Sequence, residues 1–103
     1  MFEKNLILFL DKEYKDKKEL LTDLSKAVDL KVTSSEDYEK AVKERENTIS
    51  TFIGYETAIP HAKTDAVKNP FVAYAKLSHA MDWDGNGEMG KHIFMIGVQK
   101  EPC

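Results

Sequence analysis

The order of apolar and polar positions divides the first part of the chain into one strand and one helix. The continuous apolar run Leu6–Leu10 is typical of a strand buried on both faces. Apolar residues then recur at helical spacing between Lys17 and Val28. Asp16, with Glu19 three residues later, has the spacing of a capping box. The pattern predicts a strand over 6–10 and a helix over 17–28.

A second amphipathic segment follows a pair of serines. Either Ser34 or Ser35 is suited to the N-cap position, and acidic residues follow in the first turn, where the helix dipole favours them. The buried stripe consists of Tyr38, Ala41 and Val42. We expect this helix to end near Glu44 or Arg45. We also expect each helix to pack its single apolar face against a sheet.

The middle of the chain predicts short extended segments. Residues 48–53 are rich in β-branched and hydroxyl side chains and indicate an edge strand or an irregular loop. Ala58–Pro60 predicts a short strand that ends at the proline, because proline has no backbone N–H and holds its predecessor extended. His61 would then enter a loop, and residues 63–67 would form a single turn.

The last third predicts a long hairpin. Residues 71–77 and 92–98 indicate two antiparallel strands, with a turn over the glycine-rich stretch 84–90. Together the elements predict an α/β fold, a two-layer or three-layer sandwich with a small mixed β-sheet. No repeat or proline-rich linker suggests a boundary, so residues 1–103 are expected to form a single domain.

Composition excludes some classes of function. The 103 residues suffice for one modest core, and 42% apolar with 32% charged residues is an ordinary globular balance. A net charge of -3 with interspersed signs gives no reason to expect nucleic-acid binding. The single cysteine, Cys103, allows no internal disulfide, and no segment suits a signal peptide or a membrane span. We therefore expect a cytoplasmic protein that is not inserted in a membrane.

His61 is the first candidate for chemistry. A partly exposed imidazole is largely neutral at cell pH and is a good nucleophile toward a phosphoryl or an acyl group. A histidine beside a proline is also common as a hydrogen-bonded turn residue. The residue alone therefore leaves both interpretations open.

Ordered motifs surround this histidine. They are Arg45-Glu46, Ser50-Thr51, Ile53-Gly54, Ala58–Ala62 and Asp65–Val67, continued by Asn69–Ala73, Leu77, Met81–Trp83 and the apolar strand 94–98. In these segments the chain resembles the enzyme IIA domain of the bacterial phosphoenolpyruvate:sugar phosphotransferase system, and it is most similar to the fructose/mannitol type. The resemblance covers nearly the whole sequence.

The resemblance implies a phosphocarrier. In this family the histidine of the Pro-His motif accepts a phosphoryl group from the phosphocarrier protein HPr and passes it to a cysteine of enzyme IIB, a role that falls on His61. Arg45, the only arginine, stands at the family's arginine position, and its planar fork suits phosphate. Thr51 and Thr57 are candidates for hydroxyl hydrogen bonds to the phosphoryl group. The resemblance implies sugar uptake as the setting and no metal or organic cofactor.

Alternatives from the residues stay open for these side chains. Arg45 also fits a solvated cation at the end of a helix, where the dipole favours positive charge. The two threonines also fit buried positions in a strand. The segment Asp82–Gly87 is faintly similar to a calcium loop, but Ile93 stands where the final glutamate is needed. The three histidines and the cysteine lack the paired spacing of zinc ligands.

The sequence departs from the family pattern in several places. Phe52 and Glu56 replace glycines common in the family, and a backbone position that needs a positive φ would resist Glu56. The second active-site histidine of mannitol-type members has no counterpart, since neither His79 nor His92 lies in its motif. Both are expected to be surface or loop residues.

The last departure concerns the end of the sequence. Family domains continue past the last strand into helices that cover the sheet, whereas this sequence ends at Pro102-Cys103. We therefore expect a domain incomplete at the C-terminus, with exposed apolar surface on the sheet, and homo-oligomers or marginal stability as the result. Two other functions remain open: a regulatory module of the nitrogen-related or transcription-regulator type, and an inactive fragment.

Overall fold

The computed structural model describes residues 3–100. One 3-10 turn, Lys4–Leu6, leads into the first strand, and another, Asp29–Lys31, lies between the helices. The helices are α1 (Lys17–Ala27) and α2 (Ser35–Thr48). The strands are β1 (Ile7–Leu10), β2 (Phe52–Gly54), β3 (Thr57–Ala58), β4 (His61–Lys63), β5 (Phe71–Asp82) and β6 (Met89–Val98).

The six strands of residues 3–100 form one mixed sheet. The order is β1-β5-β6-β3-β2, and β4 also pairs with β6. The long hairpin β5–β6 is antiparallel, β1 runs parallel to β5, and β3 and β4 both run parallel to β6. Side chains of both helices join the core that the sheet buries on one face. The predicted α/β fold with a small mixed sheet is confirmed, and residues 3–100 form two layers.

Both predicted helices begin at the predicted caps. Asp16 accepts a hydrogen bond from the backbone N–H of Glu19 at 2.9 Å, and the Glu19 carboxylate accepts from the N–H of Lys15 at 3.1 Å. Ser34, rather than Ser35, caps α2 by accepting from the N–H of Asp37 at 3.1 Å. These bonds satisfy backbone donors that the first turn of a helix leaves free.

The predicted end of the second helix is wrong. α2 continues to Thr48, three residues past Arg45. The Thr48 hydroxyl donates to the carbonyl of Glu44 at 3.2 Å, and the guanidinium of Arg45 donates to the carbonyl of Ile49 at 2.8 Å. Side chains thus satisfy acceptors near the end of the helix, where backbone partners are missing.

The core lies between the helices and alternate positions of the two long strands. Its sheet side includes Phe71, Ala73, Ala75, Leu77, Ile93 and Met95, and its helix side includes Leu20, Leu21, Leu24, Tyr38 and Val42. Gly97 is also on this face, and a Cβ atom there would overlap the ring of Phe71. A glycine at this position allows the ring to lie directly against the strand.

The first strand corrects the sequence interpretation. Residues 7–10 of the predicted strand 6–10 form β1, but within residues 3–100 β1 pairs only with β5 and is an edge strand. Phe9 is 72% exposed and Ile7 is 38% exposed. The apolar run was wrongly assigned to a strand buried on both faces, because an apolar run does not reveal which neighbours a strand has.

The second face of the sheet carries no helix within residues 3–100. Ile7 pairs with Tyr74, and Tyr74 pairs with Phe94, so these side chains share that face. With Thr57 and His92 they line a shallow groove of about 460 Å³. We call this surface the open face. The exposed apolar surface expected on the sheet is present there.

The hairpin is longer than predicted. β5 extends to Asp82 and β6 begins at Met89, so the bend covers 83–87 rather than 84–90. The N–H of Gly87 donates to both carboxylate oxygens of Asp82, at 3.1 and 3.0 Å. His79 is exposed, but it lies on β5 rather than in a loop.

In the part of the chain that the structure describes, neither helix has the length and apolar character needed to cross a membrane.

Candidate functional site

His61 lies at the start of a strand, which corrects the prediction of a loop. β3 and β4 both pair with β6 and are separated only by Ile59 and Pro60. The N–H of Ile96 in β6 donates to the carbonyl of Pro60 at 2.9 Å. Because Pro60 lacks only the donor, its carbonyl still bonds the neighbouring strand and pairing resumes at His61.

The ring of His61 has a defined hydrogen bond. Its Nδ1 atom lies 2.9 Å from the carbonyl oxygen of Ile59. A carbonyl oxygen only accepts, so this contact places the proton on Nδ1 and leaves the lone pair on Nε2. The residue is half-buried. The arrangement presents Nε2 as a nucleophile of fixed orientation.

The strand register places His61 on the open face. His61 pairs with Ile96, and Lys63 pairs with Val98, whereas Ala62 between them is buried toward the core. Successive side chains of a strand point to opposite faces. His61 therefore belongs to the same side of the sheet as the apolar groove.

Arg45 lies on the neighbouring element without bonding to His61. α2 packs against β4, but the guanidinium of Arg45 donates to the carbonyl of Ile49, and the imidazole of His61 bonds the carbonyl of Ile59. Among the described residues the two side chains share no hydrogen bond. The contact with Ile49 matches the helix-end interpretation of Arg45.

The two candidate threonines occupy different environments. Thr51 is buried, and its hydroxyl donates to the Glu46 carboxylate at 2.6 Å. The Thr57 hydroxyl donates to the carbonyl of Tyr55 at 2.8 Å, and Thr57 lines the groove of the open face. Each hydroxyl proton is therefore already used within the protein.

A buried carboxylate beside this site received no role from the sequence. Glu46 is only 4% exposed and accepts from the backbone N–H of Thr51 at 2.9 Å, from Trp83 Nε1 at 3.0 Å and from Lys17 Nζ at 3.0 Å, besides the Thr51 hydroxyl. Burial favours the neutral acid, but the bonds from Thr51, Lys17 and Trp83 outweigh it and lower the pKa of Glu46. The signal was a charge continuing the apolar stripe of Tyr38 and Val42 at a spacing of four.

Lys17 extends this cluster to the hairpin bend. Its ammonium group lies 2.6 Å from the Asp84 carboxylate, which also accepts from the Ser50 hydroxyl at 2.5 Å. Burial opposes the charge on Lys17, yet the hydrogen bonds to Asp84 and Glu46 raise its pKa. The cluster ties the start of α1, the end of α2 and the β5–β6 bend together.

The loop between β2 and β3 has an unusual backbone. Gly54, Tyr55 and Glu56 have φ values of 86°, 53° and 56°. The position of Glu56 thus has the positive φ that the missing glycine would favour. The carbonyl of Glu56 accepts from the N–H groups of Lys91 and His92, at 2.8 and 2.9 Å, which hold the loop against β6.

No metal site is formed by residues 3–100, since no three His, Cys, Asp or Glu side chains come together in a suitable group. Cys103 lies outside the described residues.

The family is established by comparison with known sequences. The family described as "Phosphoenolpyruvate-dependent sugar phosphotransferase system, EIIA 2" matches residues 1–103. The chain belongs to this family.

Two sequence relatives of this EIIA domain are fructose-specific. The fructose-specific EIIABC component of Bacillus subtilis is 33% identical over 92 residues, which are 86% of this chain and 14% of that protein. The fructose-specific EIIA component of Haloferax volcanii is 44% identical over 59 residues, 56% of this chain and 38% of that protein. The chain thus spans less than two fifths of either relative.

Solved structures share the fold. The nitrogen regulatory protein IIA-Ntr of Neisseria meningitidis has a TM-score of 0.82 and 25% identity, over 94% of this chain and 68% of that one. The mannitol enzyme IIA of Escherichia coli, in complex with phosphorylated enzyme IIB, has a TM-score of 0.83 and 17% identity, over 98% and 72% of the two chains.

Proposed function

We propose that this EIIA domain is a phosphocarrier of sugar uptake, with His61 as the residue that carries the phosphoryl group. The observation that supports this most directly is the Nδ1 contact with the Ile59 carbonyl, which leaves the Nε2 lone pair available. Nε2 attacks the phosphorus of phospho-HPr, and the P–N bond of the donor histidine breaks. A cysteine thiolate of enzyme IIB then takes the phosphoryl group from Nε2.

The Ile59 carbonyl supports this transfer electrostatically. When Nε2 forms its bond to phosphorus, the ring retains its Nδ1 proton and gains positive charge. The carbonyl dipole, 2.9 Å from Nδ1, stabilises that charge without reorganisation of water. Phosphoryl transfer needs little more than such positioning and charge stabilisation, so neither a metal nor an organic cofactor is required.

Arg45 is the proposed stabiliser of the phosphoryl oxygens. Its guanidinium has donors beyond the one that bonds Ile49. Rotation away from the Ile49 carbonyl would allow a bidentate contact with an anion. Thr51 and Thr57 remain proposed contacts, through hydroxyl oxygen lone pairs that can accept from a protonated phosphoryl oxygen.

The proposed partners are HPr and an enzyme IIB domain in the cytoplasm. The fold match with a mannitol enzyme IIA bound to phosphorylated IIB supports the second, and the fructose-specific names of the sequence relatives support a transport role. A regulatory module is the alternative, supported by the 25% identity to a nitrogen regulatory IIA protein. Transfer to a IIB cysteine favours the transport role, whereas a phosphorylation-dependent regulator complex favours the alternative.

The deciding experiment is intact-mass analysis after incubation with phosphoenolpyruvate, enzyme I and HPr. We expect an acid-labile adduct of one phosphoryl group on the native chain and on His79→Ala, and none on His61→Ala. His79 is the matched control, because it is an exposed strand histidine of the same chain. A folded native chain without the adduct would refute the carrier role and support an inactive fragment.

The open face is a proposed surface for homo-oligomers. Phe9 and Ile7 are exposed there beside the groove formed with Tyr74 and Phe94. Contiguous apolar surface of this kind commonly marks an interface. Because His61 shares this side of the sheet, association would also limit the access of partners to it.

A further inference from the structure

Glu46 is a buried charge that the phosphoryl transfer itself does not use. It accepts four hydrogen bonds, two from Thr51 and one each from Trp83 and Lys17. Burying a carboxylate is costly unless it is paired and fully hydrogen-bonded. A carboxylate that accepts four hydrogen bonds holds its donors in one geometry.

The strongest constraint falls on Thr51. One carboxylate oxygen of Glu46 accepts from the Thr51 N–H at 2.9 Å, and the other accepts from its hydroxyl at 2.6 Å. This bidentate contact, which we call the clamp, fixes both the backbone and the side chain of Thr51. The Thr51 carbonyl then accepts from the N–H of Ile59 at 3.0 Å.

Ile59 connects this clamp to the histidine. Its N–H bonds Thr51, and its carbonyl oxygen bonds Nδ1 of His61 at 2.9 Å. The next residue, Pro60, has a fixed φ, and its carbonyl is held by the N–H of Ile96. The segment is therefore fixed on both sides, and the Ile59 carbonyl has little freedom to turn.

We infer that Glu46 is a positioning residue, which fixes the ring orientation and the tautomer of His61 through the backbone of Thr51 and Ile59. The inference rests on the proposed function of His61. It assigns the clamp an effect on rate as well as on folding. Loss of the clamp lets the Ile59 carbonyl turn, so Nδ1 loses its acceptor. The ring of His61 then exchanges between the Nδ1–H and the Nε2–H tautomers.

The experiment measures the ring nitrogens of His61 by NMR in the full chain labelled with 15N-histidine. Glu46→Gln keeps the size of the side chain, but its amide nitrogen faces a donor. Thr51→Val removes only the hydroxyl bond and retains the backbone bond. Glu44→Gln is the matched control, because Glu44 is an exposed glutamate of the same helix.

We expect a single Nδ1–H tautomer in the native chain and in Glu44→Gln, and a mixture of tautomers in folded Glu46→Gln. Phosphoryl acceptance from HPr should fall by about 10- to 100-fold in kcat, with KM for HPr nearly unchanged, since a small misplacement has that effect. For Thr51→Val we expect values of the tautomer ratio and of kcat between those of the native chain and those of Glu46→Gln.

A folded Glu46→Gln chain that keeps the single Nδ1–H tautomer would overturn the inference. If Glu46→Gln does not fold, the same result in Thr51→Val would overturn it. The tautomer measurement needs no phosphoryl donor, so it is independent of the proposed function. If the native chain accepts no phosphoryl group while folded Glu46→Gln shows the expected mixture of tautomers, the carrier role alone is refuted.

Discussion

The ammonium group of Lys17 lies 3.0 Å from the carboxylate of Glu46, whose side chain is 3% exposed. This ion pair joins the first turn of α1 to the last turns of α2, and Lys17 also lies 5.8 Å above the ring of Trp83. A buried carboxylate that loses its counter-ion retains the cost of its desolvation.

We therefore expect Lys17→Met to lower the free energy of unfolding by about 2–3 kcal/mol, since Glu46 keeps its other hydrogen bonds. Urea titration followed by tryptophan fluorescence measures this change. Lys18→Met is the control, because Lys18 is exposed and adjacent, and it should change stability by less than about 0.5 kcal/mol. Equal effects of the two substitutions would show that the ion pair contributes no specific stability.

The same cluster predicts a dependence of stability on pH. Burial raises the pKa of Glu46, but the hydrogen bonds from Thr51, Lys17 and Trp83 lower it, and the net change is a decrease. The pKa of Asp84 is lowered in the same way, through its bonds from Lys17 and Ser50. A carboxyl group whose pKa is lower in the folded state stabilises the fold above its unfolded pKa, about 4, and this contribution is lost as pH falls through the folded pKa.

The difference in unfolding free energy between the native chain and Lys17→Met should therefore shrink as pH falls below about 4. At the alkaline end it should shrink again above about 10.4. The pKa of Lys17 is raised in the folded state, so the unfolded chain loses this proton first, and the stabilising contribution is lost as pH rises through the folded pKa. Urea midpoints measured across this range test both limits. A constant difference from neutral to acid pH would contradict the assigned charges.

Gly97 should not tolerate a side chain. A Cβ atom there overlaps the ring of Phe71, so we expect Gly97→Ala to destabilise the fold by about 1–3 kcal/mol. Thermal or urea unfolding measures the loss. Gly90→Ala is the control, because its Cβ would lie 3.4 Å from the Trp83 ring, an ordinary contact. A smaller ring neighbour, Phe71→Leu, should reduce the effect of Gly97→Ala in a double-mutant cycle.

Local chemistry in the sequence was sufficient for the helix starts and for the main strands. Asp16 and Ser34 act through groups three residues away, so their neighbours in sequence are their neighbours in space. The antiparallel hairpin also follows from its two strand segments and from the turn residues between them. The motif order around His61 led to the family, but not to its position at the start of β4.

The errors at β1 and at His61 arise from contacts that are distant along the chain. The exposure of Phe9 depends on which strands flank β1, and the continuation at His61 depends on β6, more than thirty residues later. Glu46 has its bonding partners Lys17 and Trp83 at separations of 29 and 37 residues. No local pattern carries such information, although a charge within an apolar stripe does mark a site that needs partners.

The loop at Glu56 stores strain that a glycine would relieve. A non-glycine residue at a φ of 56° costs about 1–2 kcal/mol, and glycine gains entropy in the unfolded chain that offsets part of the relief. We expect Glu56→Gly to stabilise the protein by about 0.5–1 kcal/mol in urea titration. Glu56→Ala removes the same carboxylate but keeps the strain, so it should bring no gain. A gain of equal size in both variants would assign the effect to charge instead.

Phe9 offers the sharpest test of association through the open face. The residue is 72% exposed on the edge strand, next to the groove that Ile7 and Tyr74 line. If two copies bury this surface, Phe9→Lys should shift the oligomer to monomer, because two desolvated charges would then face the apolar surface.

Sedimentation velocity over a range of concentrations measures that shift for Phe9→Lys. Leu30→Lys is the matched control: Leu30 is 75% exposed but lies in the 3-10 turn after α1, away from the open face. It should associate like the native chain. A native chain that stays monomeric at all concentrations, or equal dissociation by both substitutions, would reject the open face as the interface.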